Sequence, residues 1–508
     1  MSRVTRIHQM LTPHADARPE DVAIIDTDGT RVGWAGYAAQ VEEAADLLAR
    51  QDVGPGDRVM IVAENCLSLA VLMLACSRRD AWAVPVNARL TAAEIARFTD
   101  HARPKRIFYT AHVSGEAAAH AEAAGAAPCS LRSGALRIAA GPAGPAEPVE
   151  SGADHVAVML YTTGTTGMPK GVMLTHGNLI FAAGASRDLR DLVPGDRVYG
   201  ALPMTHVFGL ASMLMASALT GCAIELVPRF SAAALHAALT QGATVLPAVP
   251  QMHALLMAYA AEHGHASLGE AKLRYVSSGA APLDPTWKRK AEAFYGLPLQ
   301  NGYGMTETTA GVSGTRNTIG DPDTSVGPPL PGVEVIIDES VGAEPGVGEV
   351  LTRGPHVMAG YYRNPEATAA ALTRAGFMRT GDLGRIDAAG RLHIVGRAKE
   401  LIIRGGFNVY PPEVEAALND HPAVIQSAVI GRPVEGDEEV LAFCQLTGPD
   451  ATDATELGAF VGERLAGYKR PTRIFVVEAL PAAATGKILK HRLLDQFTDP
   501  APRRPPEA

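Results

Sequence analysis

Residues 161–172 of the 508-residue chain read YTTGTTGMPKGV, and this stretch decides which class of fold the sequence predicts. The apolar, β-branched run before it, residues 156–161, is typical of a strand, and residues 178–185 after it favour a helix. Nucleotides bind in α/β folds where the chain leaves a strand of the sheet. The stretch therefore predicts a phosphate-binding loop in an α/β protein.

The composition of this loop suits the binding of a phosphate anion. Glycines let the backbone approach an anion without a Cβ atom in the way, and threonine hydroxyls add donors to the backbone amides. The glycines are Gly164, Gly167 and Gly171, the threonines are Thr162, Thr163, Thr165 and Thr166, and the lysine is Lys170. The loop is not the common P-loop, because Lys170 is followed by Gly171 instead of Ser or Thr. A Gly/Thr-rich surface turn is the alternative interpretation of this segment alone.

Length and charge narrow the class of protein. A chain of 508 residues is too long for one hydrophobic core and should form at least two domains. The net charge of −9 and the pI near 6.0 argue against a general nucleic-acid-binding protein, which needs an excess of Lys and Arg. The basic cluster at residues 288–290 is predicted to be a solvated helix face.

The cysteines and the apolar stretches predict a cytoplasmic protein without a membrane span. The cysteines have neither CxxC nor metal-ligand spacing, which fits core packing in a reducing compartment: they are Cys66, Cys76, Cys129, Cys222 and Cys444. Residues 1–11 lack the long apolar core of a signal peptide. The most apolar stretch, residues 208–222, contains polar interruptions and is shorter than the roughly 20 residues of a membrane span, so we expect a buried helix.

Helical and strand patterns alternate along most of the chain. Residues 37–51 and 67–75 predict helices, and residues 58–63 and 83–86 predict strands. Such alternation predicts the α/β class, with a large N-terminal domain of β-sheets flanked by helices. Residues 111–152 drift into Ala, Gly and Pro and predict a poorly packed helix followed by a loop.

A second, smaller domain is expected near the C-terminus. The strand pattern of residues 392–395 is followed by the segment in which we place the domain boundary. We predict an N-terminal domain over residues 1–396, a C-terminal domain over residues 397–495 and a disordered, proline-rich tail over residues 496–508.

Five further segments complete a pattern with the loop. They are ALPMTHVFG at residues 201–209, NGYGMTE at 301–307, TGD at 380–382, GRAKELIIRGGFNVYPPEVE at 396–415 and PAAATGK at 481–487. Together, and in this order, they resemble the adenylate-forming family of acyl-CoA synthetases, luciferases and peptide-synthetase adenylation domains. The resemblance covers nearly the whole chain, with Thr163 where serine is more usual. It implies a large ATP- and acid-binding domain followed by a small mobile α+β domain.

The resemblance also implies a reaction in two steps. A carboxylate attacks the α-phosphate of ATP, which releases pyrophosphate and leaves an acyl adenylate, and the acyl group then passes to CoA as a thioester. ATP, Mg²⁺ and CoA are thus implied, with a small carboxylic acid as the substrate. Because two anions must meet, such a site needs cations and oriented donors rather than a protein nucleophile.

The family's motifs imply roles for the residues that match them. The loop would hold the β- and γ-phosphates, Glu307 would hold Mg²⁺, and Thr306 would donate to the α-phosphate. Lys487, in the TGK segment, would bridge the substrate carboxylate and the α-phosphate. Without the family match, Glu307 would be interpreted as a solvated loop acid and Lys487 as an exposed lysine.

Nucleoside recognition is assigned in the same way. Tyr303 would stack on adenine, and Asp382 would accept hydrogen bonds from the ribose hydroxyls. Arg397 would contact ribose or phosphate. Without the family match, Asp382 would be interpreted as a turn-forming residue. The other residues expected around the nucleoside are Gly279, Ala280, Ala281, Asn301 and Gly302.

The two half-reactions require the second domain to rotate, as the resemblance implies. Lys399 matches the hinge position, where only a few dihedral angles need to change. After rotation, Gly405 and Gly406 would shape a channel for pantetheine. His206 would border the acid pocket and either orient the carboxylate or gate access of CoA, with a structural histidine as the alternative.

The walls of the acid pocket are expected to be apolar or small. An aryl acid or a short to medium aliphatic acid fits such walls better than a dicarboxylate, which needs a buried arginine. The expected wall residues are Val207, Phe208, Val249, Pro250, Gly304, Thr309, Ala310 and Gly311.

An AMP-forming acid–CoA ligase is the leading hypothesis. An acyl-AMP ligase that loads a carrier protein and a peptide-synthetase module are disfavoured, because no carrier domain is expected after the second domain and PMTHVFG lacks an aspartate to pair with an amino acid. Rivals from other classes are an ATP phosphotransferase or ATPase that releases ADP, and a non-catalytic nucleotide-binding protein. The identity of the acid, the pathway and the oligomeric state, a homodimer included, stay open.

Overall fold

The computed structural model of the protein describes residues 4–163, 169–280, 283–341, 344–405, 407–434, 437–448, 451–482 and 488–497. Five β-sheets with helices packed on them make up this part of the chain. The α/β class is confirmed, with large N-terminal sheets flanked by helices and a small α+β unit at the C-terminal end.

Two eight-stranded sheets form most of the N-terminal part. The strands of the first, sheet A, are from edge to edge Ser313–Gly314, Leu299–Tyr303, Tyr275–Ser278, Val245–Ala248, Arg197–Gly200, Ala223–Leu226, Val22–Ile25 and Arg31–Gly33. Those of the second, sheet B, are Gly360–Tyr361, Pro169–Thr175, Val156–Thr163, Trp82–Asn87, Arg58–Ala63, Arg106–Tyr109, Gly134–Ala140 and Ala127–Leu131. The central strands of each sheet run parallel, so their carboxyl ends share one edge.

Three smaller sheets follow along the chain. Sheet C contains Glu334–Asp338, Gly348–Arg353, Met378–Ile386 and Leu392–Arg397. Sheet D is the hairpin of Ile402–Arg404 and Phe407–Val409, and sheet E contains Val424–Val434, Asp437–Leu446 and Arg473–Val477.

The helices connect these strands and cover the sheets. The α-helices are Thr12–Ala17, Trp34–Arg50, Leu67–Arg78, Ala92–Ala102, Gly115–Ala123, His176–Leu189, Val207–Gly209, Ala216–Thr220, Ala232–Thr240, Pro250–Glu262, Pro285–Tyr295, Pro365–Ala371, Pro411–Asn419, Ala454–Gly462 and Leu493–Phe497. Shorter 3₁₀ turns are Ile7–Met10, Gly152–Asp154, Thr306–Thr308, Ala398–Glu400, Gly467–Lys469 and Lys490–Arg492, and Leu210–Met215 is a π-helical segment.

The largest apolar cluster joins the two large sheets. Every residue of strand Arg58–Ala63 is buried, and so is every residue of helix Leu67–Arg78 except the last. Strands buried on both faces and helices that are apolar all round are typical of a core between layers. The cluster accordingly contains Val59 of sheet B, Leu72 of this helix and Val198 of sheet A.

The glycine- and threonine-rich loop joins two antiparallel strands. Val156–Thr163 pairs with Pro169–Thr175, with Thr162 opposite Lys170. Helix His176–Leu189 begins only after the second strand. The predicted strand and helix are both present, but an additional strand separates the loop from the helix.

Residues 111–152 differ from the predicted poorly packed helix and loop. Helix Gly115–Ala123 is present, but the hairpin of Ala127–Leu131 and Gly134–Ala140 follows it and extends sheet B. Most side chains of this hairpin are exposed or half-buried, so backbone pairing rather than apolar burial holds the strands. The composition lacked a strand signal because pairing with a sheet edge does not require large apolar residues.

A buried arginine fixes the proline-rich residues after this hairpin. Arg58 is 1% exposed and donates hydrogen bonds to the carbonyl oxygens of Gly56, Ala102 and Pro145 at 2.9, 3.1 and 2.8 Å. The Tyr362 hydroxyl donates to Glu147 at 2.7 Å. Buried polar groups need such partners, so the segment is held by hydrogen bonds rather than by apolar contacts.

The prediction of a solvated face at residues 288–290 is wrong for Lys288. Its side chain is 2% exposed and its ammonium lies 2.7 Å from Glu292, one turn further along the helix Pro285–Tyr295. The ammonium also donates to the carbonyl oxygen of Asp321 at 2.5 Å. Charge and helix propensity do not reveal which face of a helix packs inward, whereas a buried charge always needs such a partner.

The C-terminal unit has apolar clusters of its own. One joins Val414 to Val429 of sheet E, and another joins Phe443 to Leu493. Separate cores are typical of separate domains, and the boundary between residues 396 and 397 stays a prediction. The helix Leu493–Phe497 extends two residues into the predicted tail, because the ring of Phe497 packs 6.0 Å from that of Phe443. Residues 498–508 lie outside the described residues.

The apolar stretch 208–222 forms a buried helix, as predicted. Its π-helical segment, Leu210–Met215, is buried throughout and continues into Ala216–Thr220. In the described part of the chain, no helix combines the length and the apolarity needed to cross a membrane.

Candidate active site

Three parallel strands of sheet A end side by side where the predicted site residues begin. Ala248, Ser278 and Asn301 are in register on neighbouring strands. The pocket residue Val249 and the nucleoside residues Gly279 and Tyr303 follow, or lie at, these strand ends. Ligands bind in α/β folds at the carboxyl edge of the sheet, which is why segments distant in sequence converge here.

The predicted nucleoside residues Tyr303, Asp382 and Arg397 are in contact. The Tyr303 hydroxyl donates to Asp382 Oδ2 at 2.5 Å, and Arg397 Nε lies 3.2 Å from Asp382 Oδ1. Burial, together with the charge of Asp382, raises the pKa of Tyr303, so its hydroxyl stays protonated and donates. Asp382 is 5% exposed, and its two carboxylate oxygens are oriented by the contacts with Tyr303 and Arg397.

A bulge in sheet C presents Asp382. The strand Met378–Ile386 shifts register against Gly348–Arg353, and Gly381 has a φ of +72°. The Thr380 hydroxyl donates to the carbonyl oxygen of Val350 at 2.7 Å and accepts from the Asp382 amide at 3.1 Å. Asp382 therefore lies within a bulged strand and not in a turn, and bulges commonly re-aim side chains at sites.

Tyr361 lies between Glu307 and Lys170 and contacts both. Glu307 and Thr306 belong to the 3₁₀ turn Thr306–Thr308, and both are buried. The Tyr361 hydroxyl donates to Glu307 Oε1 at 2.9 Å, and Lys170 Nζ lies 4.6 Å from the centre of the Tyr361 ring. The predicted metal-binding carboxylate and the loop lysine are therefore brought to one place.

The backbone after Glu307 is strained. Thr309 and Ala310 have φ values of +49° and +75°, a region that residues with a side chain rarely adopt. The Thr309 hydroxyl donates to the carbonyl oxygen of His356 at 2.8 Å, and a Cβ on Gly304 would lie 2.1 Å from the carbonyl oxygen of Ala310. Ala280, at the end of a neighbouring strand, has a φ of +69°. Strain of this kind concentrates at functional sites.

The ring of Phe208, just before the π-helical segment, packs against Gly279. A Cβ on Gly279 would lie 2.9 Å from Cε1 of Phe208, so any larger residue here would have to displace this ring. His206 precedes the helix, and its Nδ1 accepts from the Phe208 amide at 3.4 Å. Val207, Val249 and the Thr309 side chain are buried, whereas Phe208 is half-buried. Phe208, which is expected to form part of the acid pocket, is thus next to Gly279, which is expected near the nucleoside.

The two ends of the phosphate loop are described, but its centre is not. Thr162 and Thr163 pair with Lys170 and Pro169 at the base of the hairpin. A Cβ on Gly171 would lie 2.8 Å from Sδ of Met159, so glycine also allows close packing here, and its approach to phosphate stays a prediction. The predicted phosphate contacts of Gly164, Thr165, Thr166 and Gly167 lie outside the described residues.

The strand that leads to Tyr303 uses its polar groups to build the site. Asn301 is 3% exposed and donates to the carbonyl oxygen of Ser325 at 3.1 Å, and its Oδ1 accepts from the Gly302 amide at 2.9 Å. Its side chain therefore holds the surrounding backbone, and a direct contact with the nucleoside stays a prediction. Ala281 lies outside the described residues.

The C-terminal predictions are described in part. Lys399 is exposed in the turn Ala398–Glu400. Gly405 has a φ of +57°, and its amide donates to Asp437 at 2.8 Å. The next described residue, Phe407, is 57% exposed, so this hairpin faces solvent in this structure. Gly406 and Lys487 lie outside the described residues.

A lysine just after Lys487 is tied to the domain junction. Lys490 Nζ lies 3.2 Å from Glu400 and 2.8 Å from Glu415. Burial lowers the pKa of Lys490, but the charges of Glu415 and Glu400 raise it more, so the net shift is upward. Ala482 and Ile488 form an antiparallel bridge on either side of the Lys487 segment. Lys490 thus links the described residues from 488 onward to the turn that contains Lys399.

Sequence reasoning missed Tyr361, which joins two of the predicted residues. The pair Gly360–Tyr361 forms a strand too short to show any periodicity. The available signal was the aromatic doublet of Tyr361 and Tyr362 behind a glycine, which does not point to a site on its own. Glu400, Glu415 and Lys490 were missed as well, because ion pairs between distant segments leave no local pattern.

Comparison with known proteins identifies the family. The family of AMP-binding enzymes matches residues 11–362, and the C-terminal domain of AMP-binding enzymes matches residues 413–487. A long-chain-fatty-acid–CoA ligase of Mycobacterium tuberculosis is 32% identical over 97% of this chain and 99% of its own length. Feruloyl-CoA synthase of Amycolatopsis sp is 34% identical over 96% of this chain and 97% of its own length.

A solved structure shows the same architecture. The O-succinylbenzoate coenzyme A synthetase of Bacillus subtilis, in complex with ATP and magnesium ion, has a TM-score of 0.80 and 28% identity, over 96% of this chain and 99% of that chain. The first match contains the loop and the segments at residues 201–209 and 301–307, and the second contains the segment at 481–487. The TGD segment and most of the segment at 396–415 lie between the two matches. The chain therefore belongs to the AMP-binding enzymes, the adenylate-forming superfamily that includes the acyl-CoA ligases.

Proposed function

We propose that the chain, as an acyl-CoA ligase of this family, activates an apolar monocarboxylic acid with ATP and transfers the acyl group to CoA. The contact of Tyr303, Asp382 and Arg397 beside the Glu307 and Lys170 pair carries the proposal. One group suits a nucleoside and the other suits a polyphosphate with its cation. Together they match a site that uses ATP as a co-substrate.

The proposed reaction brings two anions together, the carboxylate of the acid and the α-phosphate of ATP. A carboxylate oxygen of the acid attacks the α-phosphorus of ATP, the bond to the bridging oxygen breaks, and pyrophosphate leaves. The CoA thiolate then attacks the carbonyl carbon of the acyl adenylate, and AMP leaves. We assign Lys170 and Thr306 to the stabilisation of phosphate charge and Lys487 to the meeting of carboxylate and α-phosphate.

The described donor set fits a magnesium ion held mainly by ATP. Within the described part of the chain, the buried carboxylate of Glu307 accepts one hydrogen bond, from Tyr361, and forms no ion pair. Among those residues there is also no cluster of three or more His, Cys, Asp or Glu side chains that could hold a metal. Mg²⁺ typically binds one or two carboxylates plus substrate phosphates, and it would neutralise phosphate charge there. We therefore assign Glu307 as its protein ligand.

The substrate class follows from the walls of the pocket. Phe208 packs against Gly279, and the neighbouring Val207 and Val249 are buried and apolar. None of the described wall residues is charged, so a second carboxylate would lack a counter-charge among them, which is costly. An aryl acid or a short to medium aliphatic acid therefore suits the pocket.

We also propose a cytoplasmic enzyme, because the cysteines other than the half-buried Cys129 are buried as free thiols. A homodimer stays a prediction, and gel filtration with light scattering tests it.

The test is a screen for pyrophosphate release over a panel of carboxylic acids, with and without CoA. The panel pairs each monocarboxylate with the dicarboxylate of the same length. We expect AMP and pyrophosphate in equal amounts, and a thioester when CoA is present. ADP as the nucleotide product would instead support an ATPase, and AMP with transfer only to a carrier protein would support the other branch of the family. Dicarboxylates as the best substrates would refute the proposed substrate class.

A further inference from the structure

We propose that Tyr361 is a positioning residue that holds Glu307 and Lys170 in a fixed relation for binding of the metal–ATP complex. The inference deepens the proposed function and rests on it. Tyr361 does not need to touch a substrate for this role. It acts through two charged side chains that do.

Two different parts of the Tyr361 side chain make the two contacts. The hydroxyl donates to Glu307 Oε1 at 2.9 Å, whereas the ring lies 4.6 Å from the ammonium of Lys170. A hydroxyl binds a carboxylate as a donor, and a ring face attracts a cation through its quadrupole. A tyrosine provides both, whereas phenylalanine retains only the second and an aliphatic residue provides neither.

Tyr361 is itself fixed from two sides. Its strand pairs with Pro169–Thr175, and Tyr361 is opposite Val172. Lys170 is two residues from Val172, so it lies on the same face and diagonal to Tyr361, within reach of long side chains. On the other side, the Tyr361 amide donates to the Thr368 hydroxyl at 2.9 Å, at the helix Pro365–Ala371. Tyr361 is therefore held in place, and it can fix the positions of Glu307 and Lys170 relative to each other.

The hydrogen bond leaves one oxygen of Glu307 for a ligand. Tyr361 binds Oε1, and Oε2 has no hydrogen-bond partner among the residues that the structure describes. Mg²⁺ demands a near-ideal arrangement of oxygen ligands. Hydrogen bonds that orient a ligating carboxylate therefore contribute to metal affinity, and their loss typically lowers it 10- to 100-fold. The Tyr361 hydroxyl supplies this orientation.

Three variants separate the two contacts from general damage to the fold. Tyr361→Phe removes only the hydroxyl, and Tyr361→Leu removes the ring as well. Tyr362→Phe is the matched control, because it removes a hydroxyl from the next residue, which donates to Glu147 and not to the site. The measurements are the affinity for Mn²⁺–ATP, followed by electron paramagnetic resonance of the metal, and the affinity for ATP in EDTA, followed by calorimetry. Neither contains acid or CoA.

Tyr361→Phe is expected to weaken Mn²⁺–ATP binding by roughly tenfold, the effect of one hydrogen bond to a charged group, with ATP binding in EDTA within about twofold. Tyr361→Leu should weaken both, and Tyr362→Phe should change neither. Unchanged Mn²⁺–ATP affinity in Tyr361→Phe overturns the inference, and so does an equal loss in Tyr362→Phe. Failure of the proposed function would appear separately, as a wild-type protein that binds Mn²⁺–ATP but releases no pyrophosphate with any acid.

Discussion

Asp382 and Arg397 lie opposite each other on neighbouring antiparallel strands, and Arg397 Nε is 3.2 Å from Asp382 Oδ1. Arg397 is the last residue of its strand and directly precedes the turn that contains Lys399. The carboxylate assigned to ribose is thus bound to the residue at which the predicted C-terminal domain begins. We therefore expect occupancy of the nucleotide site to influence the orientation of the second domain.

Replacing Lys487 by alanine tests whether its charge serves one half-reaction only. We expect Lys487→Ala to lose on the order of 100-fold or more in acyl-adenylate formation, because two anions then meet without their bridging cation. Thioester formation from a supplied acyl adenylate should persist. The measurements are single-turnover pyrophosphate release and thioester yield, with Lys272→Ala as a control at an exposed position. Equal loss of both half-reactions would contradict this division of roles.

Replacing Glu307 by glutamine tests the metal assignment. The neutral amide binds a hard cation poorly, so the half-saturating Mg²⁺ concentration should rise roughly tenfold or more while the KM for the acid stays within about twofold. Removal of Mg²⁺ with EDTA should abolish activity in the wild type. Glu366→Gln, at an exposed position, is the control. An unaltered Mg²⁺ dependence in Glu307→Gln would refute the assignment.

Replacing Lys399 by proline tests the hinge. Proline fixes φ near −65° and is tolerated in the first positions of a helical turn, so the turn Ala398–Glu400 should form as it does here. Adenylation should persist, whereas transfer to CoA should fall, because the exposed hairpin with Gly405 could no longer rotate into the site. Lys399→Ala retains backbone freedom and is the matched control. Proportional loss of both half-reactions in Lys399→Pro would exclude a hinge at this residue.

The buried ion pair of Lys288 and Glu292 should matter for stability and not for catalysis. Lys288→Met leaves the Glu292 carboxylate buried without its cation, which typically costs about 3–5 kcal/mol of unfolding free energy. Lys290→Met, two residues along the same helix and exposed, should change that free energy by less than about 0.5 kcal/mol. Chemical denaturation followed by circular dichroism measures both. A Lys288→Met variant as stable as the wild type would show that Glu292 finds another partner.

A buried histidine predicts a loss of stability in mild acid. Burial lowers the pKa of His253 to about 4 from 6.5, and its ring nitrogens lie 2.8 Å from the Tyr295 hydroxyl and 3.2 Å from the Ser277 carbonyl oxygen. The unfolded chain binds a proton more readily than the folded one between these pKa values. Stability from this group is therefore complete above pH 6.5 and lost as the pH falls towards 4. His253→Gln should flatten the decrease between pH 6.5 and 4.5, and exposed His265→Gln should not.

The motifs could be recognised from the sequence because each of them is local. The segments around Tyr303, Asp382 and Arg397 were recognised separately, and the structure brings these three into contact. The contacts themselves were not predictable, since Tyr361 reaches Glu307 across a distance of 54 positions in the sequence. Burial was the least predictable property. Lys288 was predicted to lie on a solvated helix face, and tertiary packing buries it.

Lys490 and its two carboxylate partners, Glu400 and Glu415, have a practical consequence for engineering. All three lie on the C-terminal side of Lys399, so we expect the ion pairs to move together with the second domain if it rotates at the predicted hinge. A domain exchange with a related enzyme should therefore place its crossover before Glu400. With a crossover after Glu400, residue 400 and Lys490 would come from different parent enzymes. The ion pair between them would then depend on which residue the other parent has at position 400. The position of the crossover thus determines whether the hybrid takes Lys490 and both of its carboxylate partners from the same parent.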